Sequence, residues 1–181
     1  MRHSRSKACA AALALGFLFG AIAPLSLSAA PIAARTASIA PTIRYDAAHK
    51  LFRIDAGQVT YAFGVDPDGM LQTIYWGARL AADDPLGPAR VSPGHSSFDS
   101  PGSTSPQEYA GWGGRITIAP DLKAHFADGN RDLVLHYASH RIDGDVLEVE
   151  LRDIRLDVSV RLRYTVDPAT GIIGRSAHIE N

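Results

Sequence analysis

The chain of 181 residues is 46% hydrophobic and 20% charged, an ordinary globular composition that argues against a disordered or fibrous protein. Its formal charge is −1, and setting residues 1–30 aside leaves 15 basic against 19 acidic side chains, a balance of −4 that is no footprint for nucleic acid or an acidic membrane surface. The one cysteine, Cys9, lies in that first segment, so the remainder offers no disulfide, thiolate nucleophile or cysteine metal site.

Taken in order, Arg2, Arg5 and Lys7 precede an apolar run from Ala8 to Leu27, and the small residues Ser28-Ala29-Ala30 follow it. A basic start, an apolar middle and a small-residue end read as a secretory signal peptide over 1–30, which places the protein in the periplasm or outside the cell. Pro24 and the Ala/Gly-rich make-up leave the run short for a membrane span. Residues 31–42 are Ala/Pro/Ser-rich without periodicity and read as a disordered leader, with the folded part, 43–181, starting at Ile43.

The body alternates with period two. Leu51–Ile54 and Val59–Val65 are predicted strands separated by Ala56-Gly57, and Asp66-Pro67-Asp68-Gly69 turns the chain into a third strand, Met70–Trp76. A loop of Pro, Gly and Ser follows from Ala82 to Gly114. It also holds Phe98, Tyr109 and Trp112, and a connection longer than about 12–15 residues commonly serves binding, catalysis or linkage. Beyond it Arg115–Ile118, Leu122–Phe126, Leu133–Ile142 and Val146–Leu151 are predicted strands. From Ile154 to Val166 the even positions are all apolar and the odd ones polar or charged, which predicts one strand spanning roughly 40 Å at about 3.3 Å per residue. Asp167–Gly171 turns, and Ile172–Ile179 starts the last strand. No segment after the signal shows helical periodicity, so the expected fold is an all-β antiparallel sandwich. The long strand requires more cover than the remaining strands supply. The chain therefore reads as a truncated part of a larger domain, with part of the Ile154–Val166 apolar face left open and a tendency to aggregate.

Chemistry-bearing residues are few. His136 and His140 in one strand share a face about 13 Å apart and cannot hold one metal without a bulge between them. Asp99 and Glu108 on the long loop are a carboxylate pair of the sort glycoside hydrolysis uses, with Trp112 as a sugar-stacking platform, although loop carboxylates commonly form turns. Tyr75-Trp76-Gly77 ends the third strand, where aromatics either pack in the core or present a binding surface. No phosphate-binding glycine loop or serine nucleophile elbow is present, and no cofactor or metal is expected.

The order of short motifs is more specific than any of them singly: Tyr61-Ala62-Phe63-Gly64-Val65, Asp68-Gly69-Met70-Leu71, Ile74-Tyr75-Trp76-Gly77, Gln107-Glu108-Tyr109, Ala127-Asp128-Gly129-Asn130, Ser139-His140-Arg141-Ile142 and Arg175-Ser176 with Ile179-Glu180-Asn181. Over residues 43–181 this order resembles the start of the N-terminal β-sandwich domain of glycoside hydrolase family 36 α-galactosidases. The resemblance implies large enzymes in which the sandwich precedes a (β/α)₈ barrel. They remove terminal α-galactose with retention, using two barrel aspartates, and often assemble as tetramers whose N-terminal loops approach a neighbour's active site. It implies no catalytic residue in this chain, leaves Trp112 and Glu108 as candidates for substrate binding, and makes the 82–114 loop a contact surface toward a barrel or a neighbouring subunit. The alternatives are a free-standing carbohydrate-binding sandwich using Trp76, Tyr109 and Trp112, and a small hydrolase using Asp99 and Glu108.

Overall fold

The computed structural model describes residues 41–181 except 92–93, 95 and 115–117. The expected signal peptide, the leader up to residue 40 and the first part of the expected strand at 115–118 lie outside the described residues. Among the described residues, eight strands form two antiparallel four-stranded meanders. The first sheet runs β1 (Thr42–Asp46), β2 (Leu51–Ala56), β3 (Val59–Val65) and β4 (Leu71–Ala78). The second runs β5 (Leu135–Asp143), β6 (Val146–Asp153), β7 (Ser159–Val166) and β8 (Ile173–Glu180). One four-residue helix, α1 (Pro101–Thr104), lies in the long connection between them.

The sheets face each other across one core. Phe52, Ile54, Tyr61 and Phe63 of the first sheet pack with Leu147, Val149, Leu151, Val160, Leu162 and Tyr164 of the second. The Phe63 and Tyr164 rings meet across the interface at 5.0 Å between centroids, and Phe52 stacks on Phe63, its register partner, at 5.1 Å. At one end the β2–β3 turn meets the β7–β8 turn so closely that a Cβ on Gly171 would stand 2.9 Å from the Gly57 Cα. Both glycines have positive φ, so neither side chain nor backbone geometry there suits another residue.

The alternation of β6 and β7 leaves Glu148, Glu150, Arg161 and Arg163 on the solvated face of the second sheet, where Arg163 Nη1 lies 2.6 Å from Glu148 Oε1. The first sheet differs, because β2 is buried on both faces. Segment 79–91 straps its outer side. Arg53 Nη2 donates to the Leu80 and Ala81 carbonyls at 2.8 and 2.9 Å, and Gln72 exchanges hydrogen bonds with Arg90 at 2.9 and 2.8 Å. Under the strap Asp55 accepts from Arg53, Arg44 and Thr60, so the polar residues of that face are buried as a bonded set.

Several sequence expectations are corrected. Ile154–Val166 is not one 13-residue strand: β6 runs on to Asp153 and β7 begins only at Ser159, paired with β6 as a hairpin. The Asp153 carboxylate makes that turn by accepting from the Arg155 and Leu156 amides at 2.9 and 2.7 Å and from Val134 N at 2.6 Å, where neither glycine nor proline marks it. The apolar face from Val158 to Val166 is covered by the first sheet, and only Ile154 and Leu156 of the predicted run lie in the turn. Leu122–Phe126 is irregular, with Leu122 in an isolated parallel bridge to Gly111, yet Leu122, Ala124 and Phe126 still pack on the core. β1 was not anticipated. His136 and His140 do not share a face: a bulge at Ala138 pairs Tyr137 with Leu151 and Ser139 with Glu150. That reverses the alternation, sending His140 inward and His136 outward.

Candidate functional site

The end of the long loop is built into the sandwich rather than hung from it. Thr73 N donates to the Pro106 carbonyl at 2.8 Å and Glu108 N to the Leu71 carbonyl at 2.9 Å, so 106–108 runs along the edge of β4 with Gln107 bridged to Gln72. This places the Glu108 side chain between the two sheets, where the residue is only 3% exposed.

Four side chains from four strands converge on its carboxylate. Oε2 accepts from the Tyr61 hydroxyl of β3 and from Thr73 Oγ1 of β4 at 2.7 Å. Oε1 accepts from the Tyr164 hydroxyl of β7 at 2.7 Å and pairs with Arg175 Nε of β8 at 3.4 Å. Arg175 also donates to the backbone carbonyl of Glu108 and lies over the Tyr109 ring, 5.7 Å from its centroid. Burial first, and then the Glu108 charge, push the Tyr61 and Tyr164 phenols well above the ordinary tyrosine range. For Arg175, burial opposes the charge, but Glu108 together with Tyr164, Tyr61 and Asp121 outweighs it, and its pKa moves up. Both phenols therefore stay protonated donors and Arg175 stays cationic, which makes the group a clamp joining loop, first sheet and second sheet. With both oxygens occupied and the side chain sealed, Glu108 faces no open cleft.

Asp99 stands apart. It closes an exposed turn, its Oδ2 accepting from Ser96 N at 2.9 Å. The structure does not bring the two loop carboxylates together, one being in a solvent-facing turn and the other in the core.

Trp112 is 41% exposed and is held by its backbone: its amide donates to the Leu122 carbonyl at 3.0 Å and its carbonyl accepts from Leu133 N at 3.1 Å. The flanking glycines are a requirement of that contact, since a Cβ on Gly111 or Gly113 would come within 2.4 Å of the Leu133 backbone. Lys123 Nζ sits over the indole, 5.1 Å from the ring centroid. Trp76, on β4, is 62% exposed and meets the Tyr61 ring edge-on at 4.9 Å. A concavity of about 310 Å³ lies under the strap and is lined by Arg44, Asp46, His49, Leu51, Pro85 and Leu86. Sequence reasoning did not reach it, nor Thr73, Tyr164 and Arg175 as partners of Glu108. The hydroxyls look like ordinary strand residues, and Arg175 is shown to face inward only by its pairing with Tyr164. Among the described residues no group of three or more His, Cys, Asp or Glu side chains is arranged to hold a metal ion.

Residues 69–181 match the model of the glycosyl hydrolase family 36 N-terminal domain. Among solved structures, the family 36 α-galactosidase AgaB from Geobacillus stearothermophilus superposes with a TM-score of 0.65 at 25% identity, covering 77% of this chain and 22% of its own. A variant of α-galactosidase AgaA from the same organism, in complex with raffinose, gives 0.60 at 25% identity over 73% of this chain and 22% of its own. The α-galactosidase from Lactobacillus brevis, at 21% identity, shares the fold with a TM-score of 0.63 over 77% of this chain and 22% of its own. The chain thus spans between a fifth and a quarter of these structures. No curated protein matches it.

Proposed function

Since the chain belongs to the glycosyl hydrolase family 36 N-terminal domains, we propose that it is a non-catalytic sandwich of an exported α-galactosidase, one that hydrolyses terminal α-galactosides with retention on a barrel outside this sequence. The observation that carries this reading is the anchoring of the long loop. Glu108 spends both carboxylate oxygens on internal donors, so it holds the loop against the sheets instead of acting on a substrate. The solvent-facing part of the loop, with Phe98 exposed in its turn, is then a contact surface for a barrel or a neighbouring subunit of a homo-oligomer, and galactoside reaches the assembly through those parts. Purified chain incubated with a chromogenic α-galactoside is expected to show no turnover. Turnover abolished by Glu108→Gln would overturn the reading in favour of a small autonomous hydrolase. Genomic sequence downstream of Asn181 is expected to encode a barrel, and unrelated sequence there would count against it.

A second reading rests on the exposure of Trp76 and Trp112, two aromatic faces of the kind that stack on sugars. It makes the chain a free-standing carbohydrate-binding sandwich. Affinity electrophoresis in gels containing raffinose or galactomannan separates the two: retardation lost in Trp112→Ala supports binding, and unchanged mobility removes it.

A further inference from the structure

The hollow of about 310 Å³ under the strap draws its walls from residues 44–53 and 82–86, well inside the folded sequence. Both ends of the strap are pinned to the sheet, Leu80 and Ala81 by Arg53 and Arg90 by Gln72. Between these anchors Asp84 turns the chain. Its Oδ2 accepts from Ala81 N at 2.7 Å, and its own amide donates to the Ala81 carbonyl at 3.2 Å. Pro85 and Pro88 then hold their φ angles near the proline value. The strap therefore arches over β1 and β2 without a ligand to shape it. A preformed hollow at the lower end of the range of about 300–1,000 Å³ suits a small molecule.

The chemistry of the lining narrows what fits. Leu51, Pro85 and Leu86 give it apolar walls. Arg44 offers donors: its Nη2 is committed to Asp55 at 3.0 Å, but Nη1 reaches only the Ala82 carbonyl at 3.4 Å, and its side chain is 40% exposed. His49 offers an acceptor. Asp46 Oδ2 lies 2.6 Å from its Nδ1, which directs the proton of the neutral ring there and leaves Nε2 with a lone pair. The turn takes Asp84 Oδ2, and Oδ1 supplies a second acceptor. The charges are balanced as well. Arg44 and Arg53 both pair with Asp55, and Asp46 is bonded to His49. An anion would meet Asp46 and Asp84, and a cation would meet Arg44, so the lining favours neither sign. What matches it is a neutral ring with C–H surface for the leucines and hydroxyls that both donate and accept.

We propose that the hollow under the strap is a monosaccharide-binding site, in which Arg44 donates to ring hydroxyls, His49 and Asp84 accept from them, and Leu51 and Leu86 pack on the ring. It requires neither a barrel nor an exposed tryptophan, so it stands apart from both functional readings above. Amide NMR spectra of the full chain titrated with D-galactose or D-glucose test it. The Asp46, His49, Asp84 and Leu86 amides are expected to shift and saturate with a Kd of about 1–10 mM, the range open to a ligand of about a dozen non-hydrogen atoms. His49→Ala should raise that Kd about three- to tenfold. The turn survives this change, because Asp46 Oδ1 still accepts from the amides of residues 48 and 49. Leu86→Trp fills the hollow and should abolish the response, whereas Trp112→Ala should leave it unchanged. Dispersion of each variant's amide spectrum confirms that it is folded. A response that stays linear through that range, or that is indifferent to H49A and L86W, overturns the proposal. Shifts confined to Trp76 and Trp112 overturn it in favour of the exposed indoles. Sodium phosphate saturating the same four amides would overturn the assignment to a neutral ligand.

Discussion

A carboxylate sealed between two sheets is tolerable only while every lone pair it presents is answered, and Glu108 meets that condition through Tyr61, Thr73, Tyr164 and Arg175. Removing it strands three hydroxyls and a guanidinium at once. Glu108→Ala is accordingly expected to cost about 3–5 kcal/mol, read as a fall in the urea midpoint with little change in slope. Tyr164→Phe should cost less, about 1.5–3 kcal/mol, because a single hydrogen bond to the charge is lost. His140 has the opposite chemistry. It sits among Tyr45, Phe52 and Tyr137, with the Tyr137 hydroxyl 2.7 Å from its Nδ1, and burial holds its pKa below the ordinary histidine value. The unfolded chain then binds a proton, near pH 6.5, that the folded one resists, so stability rises with pH through this window and is lost as pH falls below about 6.5. Denaturation midpoints measured from pH 7.5 to pH 5 should decline, and His140→Phe should flatten the decline. An identical slope in the variant would place the effect at another group.

At the scale of elements, the strands with an end marked by glycine or proline were legible: β2, β3, β4, β6 and β8, and the far end of β7, follow from alternation between turns such as Asp66–Gly69 and Asp167–Gly171. What the pattern missed has a common feature, which is that hydrophobic period does not record it. The β6–β7 turn is made by the Asp153 carboxylate, and residues 154–158 that follow it keep the alternation of β7, so period alone starts that strand at Ile154 and not at Ser159. The Ala138 bulge leaves no compositional mark and is visible only as a change of partner in β6. For the site, Arg175 is shown to face inward only by its pairing with Tyr164, and nothing in Gln107-Glu108-Tyr109 announces that the loop turns inward to meet it. Asp153→Ala tests the first of these. Three amides, of Val134, Arg155 and Leu156, lose a charged acceptor, and the expected loss is about 1.5–3 kcal/mol, with Asp153→Asn recovering part of it. A loss below about 0.5 kcal/mol would mean the turn is specified by the strands instead.

At the scale of the whole molecule, the connection from Arg79 to Val134 is long enough to suggest two halves that fold independently, yet the packing argues otherwise. One apolar cluster runs through both sheets, the Tyr137 amide donates to the Gly69 carbonyl at 2.8 Å, and the Glu108 clamp takes donors from both sides. Each sheet alone would expose a face of aromatic and branched side chains, Phe52 and Phe63 on one and Leu147, Leu162 and Tyr164 on the other. At roughly 25 cal/mol per Å² of apolar surface, that exposure disfavours any state with a single sheet formed. Unfolding should therefore be all-or-none. The two tryptophans report on separate regions, Trp76 on β4 of the first sheet and Trp112 on the connection tied through Leu133 to the start of the second. Trp76→Phe and Trp112→Phe each leave one reporter, and far-ultraviolet circular dichroism follows the strands as a whole. After correction for any difference in stability between the variants, the three urea transitions are expected to share one midpoint and one slope. A Trp112 signal that moves at lower urea than the strand signal would show that the connection opens while the sandwich persists, and the clamp at Glu108 would then be weaker than its hydrogen bonds imply.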